Sequence, residues 1–177
     1  MGASRTLAAA APSLPLEVAW RTHMLNPAAY LQACGMVGGG PILDHDPSAY
    51  PVECDARLEA TTVTSATVGP SASLDATDVA WLGLDLVAAL RRQARFRRRA
   101  LDRKAELTAG MMAASGEYWA FLIAASQAAP GTLEPTLAVD LLWHTHMGFP
   151  RKYAQDCVRL TGMLLHHDDE PRHVRAS

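Results

Sequence analysis

The chain has 177 residues, of which 49% are hydrophobic and 19% charged, and its net charge is −2. A chain of this length can bury one core without disulfides as staples, and its near-neutral charge gives no general attraction to nucleic acids or membranes. No apolar run reaches the roughly 20 residues of a membrane span, and the three cysteines are typical of reduced thiols in an intracellular, cytoplasmic protein.

The first predicted element is a helix–turn–helix over residues 15–34. One helix runs through Trp20 and His23, and Pro27 then stands in the first turn of the next helix, where its missing N–H costs nothing. We assign residues 15–46 to this first copy of a motif described below.

Residues 47–73 follow as a connecting loop that is rich in small and polar residues. Residues 61–68 alternate weakly between apolar and polar side chains, which predicts either an edge strand or no regular structure. A loop of this length is typical of a binding loop or lid.

A helical pair is predicted over residues 74–127. Asp75 or Thr77 can cap the first helix, and the second helix is expected over residues 107–126. Residues 135–169 then repeat the helix–turn–helix as a second copy, and residues 170–177 form a loose polar tail. We therefore predict a single all-α domain over residues 1–177, with two helix–turn–helix units joined by a loop and a helical pair.

Two stretches of the chain repeat the same seven residues in the same register. The first copy has Trp20, Thr22, His23, Met24, Pro27, Tyr30 and Cys34. The second copy has Trp143, Thr145, His146, Met147, Pro150, Tyr153 and Cys157. Each pair is separated by the 123 positions between the two tryptophans, and an acidic residue stands three positions before each of them, as Glu17 and Asp140. This repeat indicates an internal duplication.

Only the second copy keeps both histidines of a His-x-His sequence, as His144 and His146. In the first copy Arg21 stands at the position of the leading histidine. We therefore expect one working site, in the second copy.

The same residues resemble the GRDP-like family, the glycine-rich domain-containing proteins of plants, which have relatives in fungi. The resemblance rests on Asp140, Trp143, His144, His146, Pro150, Tyr153 and the closing residues His166, His167, Asp168 and Asp169. Between the copies, residues 85–93 and 118–122 also resemble helices of that family.

The resemblance implies a helical domain with two copies of the motif, and it implies no particular reaction. Plant members are associated with development and stress responses, and some are discussed beside RNA binding. Because this chain lacks a glycine-rich tail and a helix leading into the first copy, we expect a shortened member of the family.

The second copy combines histidines and carboxylates in a candidate site. Asp140 lies one helical turn before His144, where its carboxylate can accept the ring N–H and fix the tautomer. His144 and His146 point about 200° apart on a regular helix, so both bind one metal only if the helix ends between them. His167 and Asp168 then complete a zinc, iron or copper site. We predict His144, His146, His167 and Asp168 as metal ligands, and catalytic roles for Asp140, His144 and His146.

Two other interpretations of these residues stay open. Buried His and Asp side chains often hydrogen-bond each other to tie helices together, which gives a structural or protein-interaction domain without a metal. In that case His23 and His146 meet across a pseudo-twofold axis between the copies. The same residues can also perform metal-free acid–base catalysis. The partner is a small molecule in the catalytic interpretations and a protein in the structural one.

A basic run over residues 91–104 is the other candidate for function. Its arginines include Arg91, Arg92, Arg95, Arg98 and Arg99. Such a cluster can bind phosphate backbones, with a strong dependence on salt. Within the run only Phe96 can stack on a base. A solvated helix face is therefore the favoured interpretation, and weak nucleic-acid binding is the alternative.

Overall fold

The fold is known from a computed structural model that describes residues 14–38, 42–45, 84–129 and 132–167. Within these ranges the chain forms six α-helices and no strand, which confirms the predicted all-α fold. The helices are α1 (Leu14–Met24), α2 (Pro27–Gly38), α3 (Leu86–Asp102), α4 (Lys104–Gln127), α5 (Leu137–Met147) and α6 (Pro150–Thr161). None of these six is both long enough and apolar enough to cross a membrane.

Helices α1 and α2 form the first hairpin, and helices α5 and α6 form the second hairpin. In each, a short segment after the hairpin returns to its helices. The Tyr30 hydroxyl donates to the carbonyl of Leu43 at 2.7 Å, and the Tyr153 hydroxyl donates to the carbonyl of Leu165 at 2.9 Å. We therefore include residues 42–45 in the first hairpin and residues 162–167 in the second.

Capping residues set the ends of the helices in the second hairpin. The Thr136 hydroxyl accepts a hydrogen bond from the N–H of Val139 at 3.3 Å and starts α5. Pro150 stands in the first turn of α6, as predicted for a residue without an N–H. Gly162 ends α6 with a φ of 77°, a left-handed conformation that favours glycine. The turn at Gly162 directs the following segment back toward α5.

The main core lies where α4 packs against the second hairpin. Its buried side chains are Tyr118, Leu122, Val139, Trp143, Met147, Tyr153, Cys157 and Leu165. A smaller core in the first hairpin contains Met24, Tyr30 and Cys34. The two matched cysteines Cys34 and Cys157 are buried free thiols, and burial raises the pKa of Cys157. They behave as small apolar residues of the two cores.

Helices α3 and α4 connect the two hairpins. The Asp85 side chain caps α3 by accepting from the N–H of Ala88 at 2.9 Å. Arg103 separates α3 from α4, which begins at Lys104, three residues before the predicted start of that helix at residue 107. Helix α3 packs on α1, and helix α4 packs on α5.

Several predictions fall on residues outside the described ranges. They are the loop over 47–73 with its possible strand at 61–68, the start of the helical pair at residue 74, the tail over 170–177, and the ligand Asp168. The domain boundaries drawn from the sequence also stay predictions.

Candidate metal centre

Three side chains of the second hairpin converge on one point. Asp140 and His144 lie one turn apart on the same face of α5, as their spacing predicts. His167 comes from the segment after α6 and meets them from outside the helix. We call Asp140, His144 and His167 the triad. Each of them can offer one ligand atom to a metal ion, and these atoms all lie within 4.8 Å of one another.

The distances within the triad are compatible with a metal site. Nε2 of His144 lies 3.2 Å from Nε2 of His167, and Oδ1 of Asp140 lies 3.0 Å from the latter atom. The third distance, from Nε2 of His144 to Oδ1 of Asp140, is 3.5 Å. A tetrahedral ion with bonds of about 2.0–2.1 Å holds its ligand atoms roughly 3.3 Å apart. The three atoms thus already lie near the corners of such a coordination shell.

Hydrogen bonds alone satisfy the three contacts of the triad only poorly around an ionised carboxylate. Such a carboxylate only accepts, so both imidazoles would have to donate to Asp140. Their two N–H groups would then converge on one oxygen, with the Nε2 atoms of His144 and His167 only 3.2 Å apart. If only one of them donates, a nitrogen lone pair instead faces the carboxylate oxygen. A cation bound to three lone pairs removes this conflict.

Burial keeps His144 in the protonation state that a metal ligand needs. Burial and, after it, the neighbouring His167 lower the pKa of His144 from 6.5 to about 3, although Asp140 opposes the shift. His144 is therefore a neutral imidazole near pH 7. Within the described ranges no lysine or arginine lies at ion-pair distance from Asp140, whose recorded partners there are His144 and His167.

Aromatic side chains position the two imidazoles. The ring of Phe96 on α3 lies over the ring of His144, with centroids 3.9 Å apart. The ring of Trp143 meets His167 edge-on, with centroids 4.7 Å apart and an angle of 82°. Trp143 also donates from Nε1 to the Tyr153 hydroxyl at 2.9 Å. Because that hydroxyl in turn holds the carbonyl of Leu165, the chain is fixed two residues before His167.

The Nδ1 atom of His167 has no hydrogen-bond partner in the described ranges, although it is buried. A histidine bound to a metal through Nε2 carries its hydrogen on Nδ1 and usually donates it to an acceptor. The chain after His167 lies outside the described residues.

The structure places His146 in a different cluster from the triad. Helix α5 continues to Met147, so the condition for His144 and His146 to share a metal is not met. Nδ1 of His146 lies 2.8 Å from the Tyr118 hydroxyl, and its Nε2 lies 3.2 Å from the Asp156 carboxylate. Burial lowers the pKa of His146, while Asp156 opposes that shift. These contacts tie α4 to both helices of the second hairpin.

A residue that the sequence analysis did not select occupies the matching position in the first hairpin. Nε2 of His45 lies 2.7 Å from Oε1 of Glu17, just as His167 approaches Asp140. The separation of His45 from His167 is 122 positions, one fewer than the repeat of the motif. A search for residues repeated at a spacing of 123 positions misses His45, because its register is shifted by one residue. His45 also lies 28 residues from Glu17, so helical spacing does not connect the two.

The basic run lies on α3 and its junction with α4, and most of its arginines face solvent. Arg91, Arg95, Arg98 and Arg99 are exposed, while Arg92 is half-buried. Arg98 pairs with Asp102 at 3.4 Å on the exposed surface. The Arg99 guanidinium lies 5.9 Å from the centroid of the Phe96 ring, which makes Phe96 part of the triad's surroundings and not a free stacking surface.

Comparisons with known proteins identify related sequences. Residues 49–156 match the family described as glycine-rich domain-containing protein-like. The chain is 27% identical over 176 residues to glycine-rich domain-containing protein 1 of Arabidopsis thaliana, across 89% of this chain and 21% of that protein. It is 28% identical over 174 residues to glycine-rich domain-containing protein 2 of the same plant, across 89% of this chain and 22% of that protein. The chain thus spans about a fifth of the length of these relatives, and no solved structure matches it.

Proposed function

Because the chain belongs to the GRDP-like family, whose members are named for their composition and not for a reaction, we propose its function from the triad. We propose that this domain binds one divalent transition-metal ion through Asp140, His144 and His167. The ligands are the Oδ1 atom of the carboxylate and the two Nε2 atoms that converge on it.

The observation that carries this proposal is the convergence of three ligand atoms at distances of 3.0 to 3.5 Å, with no lysine or arginine from the described ranges at ion-pair distance from Asp140. The Asp140 side chain is 17% exposed, and a carboxylate that is largely removed from water is costly unless a cation compensates it. A divalent ion supplies that charge and accepts all three lone pairs at once.

Two imidazoles and one carboxylate suit zinc first. Zinc takes nitrogen and oxygen ligands in tetrahedral geometry, and its catalytic sites keep three protein ligands and one open position. Iron(II) is the second candidate, since non-haem iron is held by two histidines and one carboxylate. Copper, which also accepts imidazole, is the third. An ion with an open position would polarise a bound water or carbonyl group.

Metal binding would also stabilise the fold, because it joins α5 to the segment after α6. An ion that binds only the folded state stabilises it by about 4 kcal/mol when the free ion is at 1,000 times its dissociation constant. Loss of the metal would then loosen residues 162–167 before the α4–α5 core.

The test is elemental analysis of the purified, untagged protein after zinc, iron(II) and copper have each been offered at neutral pH. We expect about one equivalent of one metal in the parent. The His144→Ala and His167→Ala variants should lose it. Two matched controls should keep it: His146→Ala, on the same helix outside the triad, and His166→Ala, whose exposed side chain neighbours His167.

A parent without metal under all three conditions would overturn the proposal. The triad would then be a metal-free network held by the 3.0 Å contact between His167 and Asp140. If the two control variants lose as much metal as His144→Ala and His167→Ala do, the ion does not bind specifically at the triad.

A further inference from the structure

The first hairpin repeats the arrangement of the triad with one change of residue. Glu17, Arg21 and His45 take the positions of the triad's carboxylate, first histidine and second histidine. We infer that the Arg21 guanidinium takes the place of the metal ion there. The first hairpin is thus a metal-independent form of the same site, and it becomes a second metal site when Arg21 is replaced by histidine. This inference rests on the proposed function.

The contacts of Glu17 carry the inference. Nε of Arg21 lies 2.5 Å from Oε1 of Glu17, and Nε2 of His45 lies 2.7 Å from the same oxygen. In the triad, likewise, both histidine nitrogens approach a single carboxylate oxygen, Oδ1 of Asp140. Each hairpin therefore directs two nitrogen-bearing side chains at one oxygen.

The surroundings of the two sites agree as closely as the contacts. The rings of Trp20 and His45 meet edge-on, with centroids 5.1 Å apart and an angle of 77° between their planes. For the corresponding pair at the triad, Trp143 and His167, the centroid distance is 4.7 Å and the angle is 82°. Trp20 donates to the Tyr30 hydroxyl at 3.0 Å, and that hydroxyl donates to the carbonyl of Leu43. The segment that carries His45 is thus fixed by the same series of hydrogen bonds as the segment that carries His167.

The charge of the Glu17 carboxylate explains why an arginine can replace a metal ion in the first hairpin. The Glu17 side chain is only 2% exposed, so its carboxylate needs a compensating cation. Arginine stays protonated at all accessible pH values, and its Nε–H is an additional donor. In the second hairpin the corresponding residue is neutral in the ligand form, and a bound ion would supply the positive charge instead.

The first test replaces Arg21 with histidine in two backgrounds and measures bound zinc together with folding by circular dichroism. In the parent background, Arg21→His should raise the content from about one to about two equivalents. In a His144→Ala/His167→Ala background, the same change should restore about one equivalent. Arg21→Lys, which keeps a cation without an imidazole, should add none, and Arg21→His combined with His45→Ala should lose the gain.

A reciprocal variant tests the inference in the second hairpin, even if Arg21→His fails to fold. The change Asp140→Glu/His144→Arg copies the first hairpin's carboxylate and guanidinium into the triad. We expect it to bind no zinc, to melt at the same temperature with and without chelator, and to be more stable than His144→Ala in chelator. A melting temperature equal to or below that of His144→Ala would overturn the inference.

The outcomes separate the inference from the proposed function. A parent with one equivalent, beside a folded Arg21→His protein that also stays at one, overturns the inference and leaves the proposed function standing. A parent without metal overturns the proposed function. In that case, a melting temperature of the reciprocal variant above that of His144→Ala still supports the role of the arginine as a cation supplied by the chain. Equal melting temperatures overturn that role.

Discussion

The two hairpins place a carboxylate, a returning histidine and a tryptophan–tyrosine pair in the same arrangement, but they surround the carboxylate with different charges. In the first hairpin Arg21 provides a permanent cation beside Glu17. In the second hairpin His144 stands at that position, and burial holds its pKa near 3. Under the proposed function, the residue at this one position of the first helix decides whether the carboxylate is neutralised by an arginine of the chain or by a bound ion.

The largest expected effect comes from removing the matched tryptophans. Trp143→Ala should lower the free energy of unfolding by about 3–5 kcal/mol, because it empties a buried site and removes the donor to Tyr153. Trp20→Ala should cost less, since Trp20 is only half-buried. Urea denaturation of both variants measures the difference. An equal or larger loss at Trp20 would show that the first hairpin carries more of the stability than its smaller core indicates.

A dependence on pH should distinguish the second hairpin from the first. The pKa of His144 falls from 6.5 in the unfolded chain to about 3 in the fold, so the unfolded state binds more protons between those values. The stability that neutral His144 contributes is thus present above pH 6.5 and is lost as the pH falls toward 3. In chelator, the parent should lose about 2 kcal/mol more than His144→Asn between pH 6.5 and 5.

Unfolding in urea at several pH values measures that difference, and His146 titrates in both proteins, so its contribution cancels. Parallel pH profiles of the parent and His144→Asn would contradict the burial of a neutral His144. The matching position of the first hairpin holds no histidine, so no such slope is expected from it.

A smaller effect is expected for the hydrogen bond outside the triad. Tyr118→Phe removes the hydroxyl 2.8 Å from Nδ1 of His146 and should cost about 1 kcal/mol of unfolding free energy. Metal content should stay unchanged, because His146 does not reach the triad. Thermal melting and elemental analysis of the same sample check both statements. A loss of metal in Tyr118→Phe would show that the contact between Tyr118 and His146 supports metal binding at the triad, contrary to this expectation.

The smallest effect is expected on the exposed face of α3. Arg91→Ala and Arg95→Ala should each change the unfolding free energy by less than about 0.5 kcal/mol, because both side chains face solvent. Neither change should alter the metal content. A titration with single-stranded RNA at low and high salt provides the control, and salt-sensitive binding that both variants weaken would favour the nucleic-acid interpretation.

Local spacing predicted much of the second hairpin. The i, i+4 relation placed Asp140 and His144 on one face, and Pro150 marked the start of α6. The resemblance read from the same residues is confirmed by the family match over residues 49–156. These features depend on neighbours along the chain, which is why a sequence can show them.

The remaining contacts depend on tertiary packing that spacing does not encode. Asp140 faces Nε2 of His144, the neighbour that its spacing suggested, and it also faces Nε2 of His167, which spacing did not predict. His146 shares a helix with His144 but points to Tyr118, since α5 does not end between them. The pairing of His45 with Glu17 crosses 28 residues, and no helical period connects the two.

The edge-on contact between Trp143 and His167 gives the second hairpin a natural optical reporter. If the proposed metal site holds a paramagnetic ion such as copper(II), the Trp143 ring, whose centroid lies 4.7 Å from that of the His167 ring, is close enough for its fluorescence to be quenched. Trp20 lies beside His45 in a site closed by arginine, so its emission should not respond to the ion. The emission of Trp143 would then report the occupancy of the second hairpin's own site without any added label, with Trp20 as the matched tryptophan that does not respond.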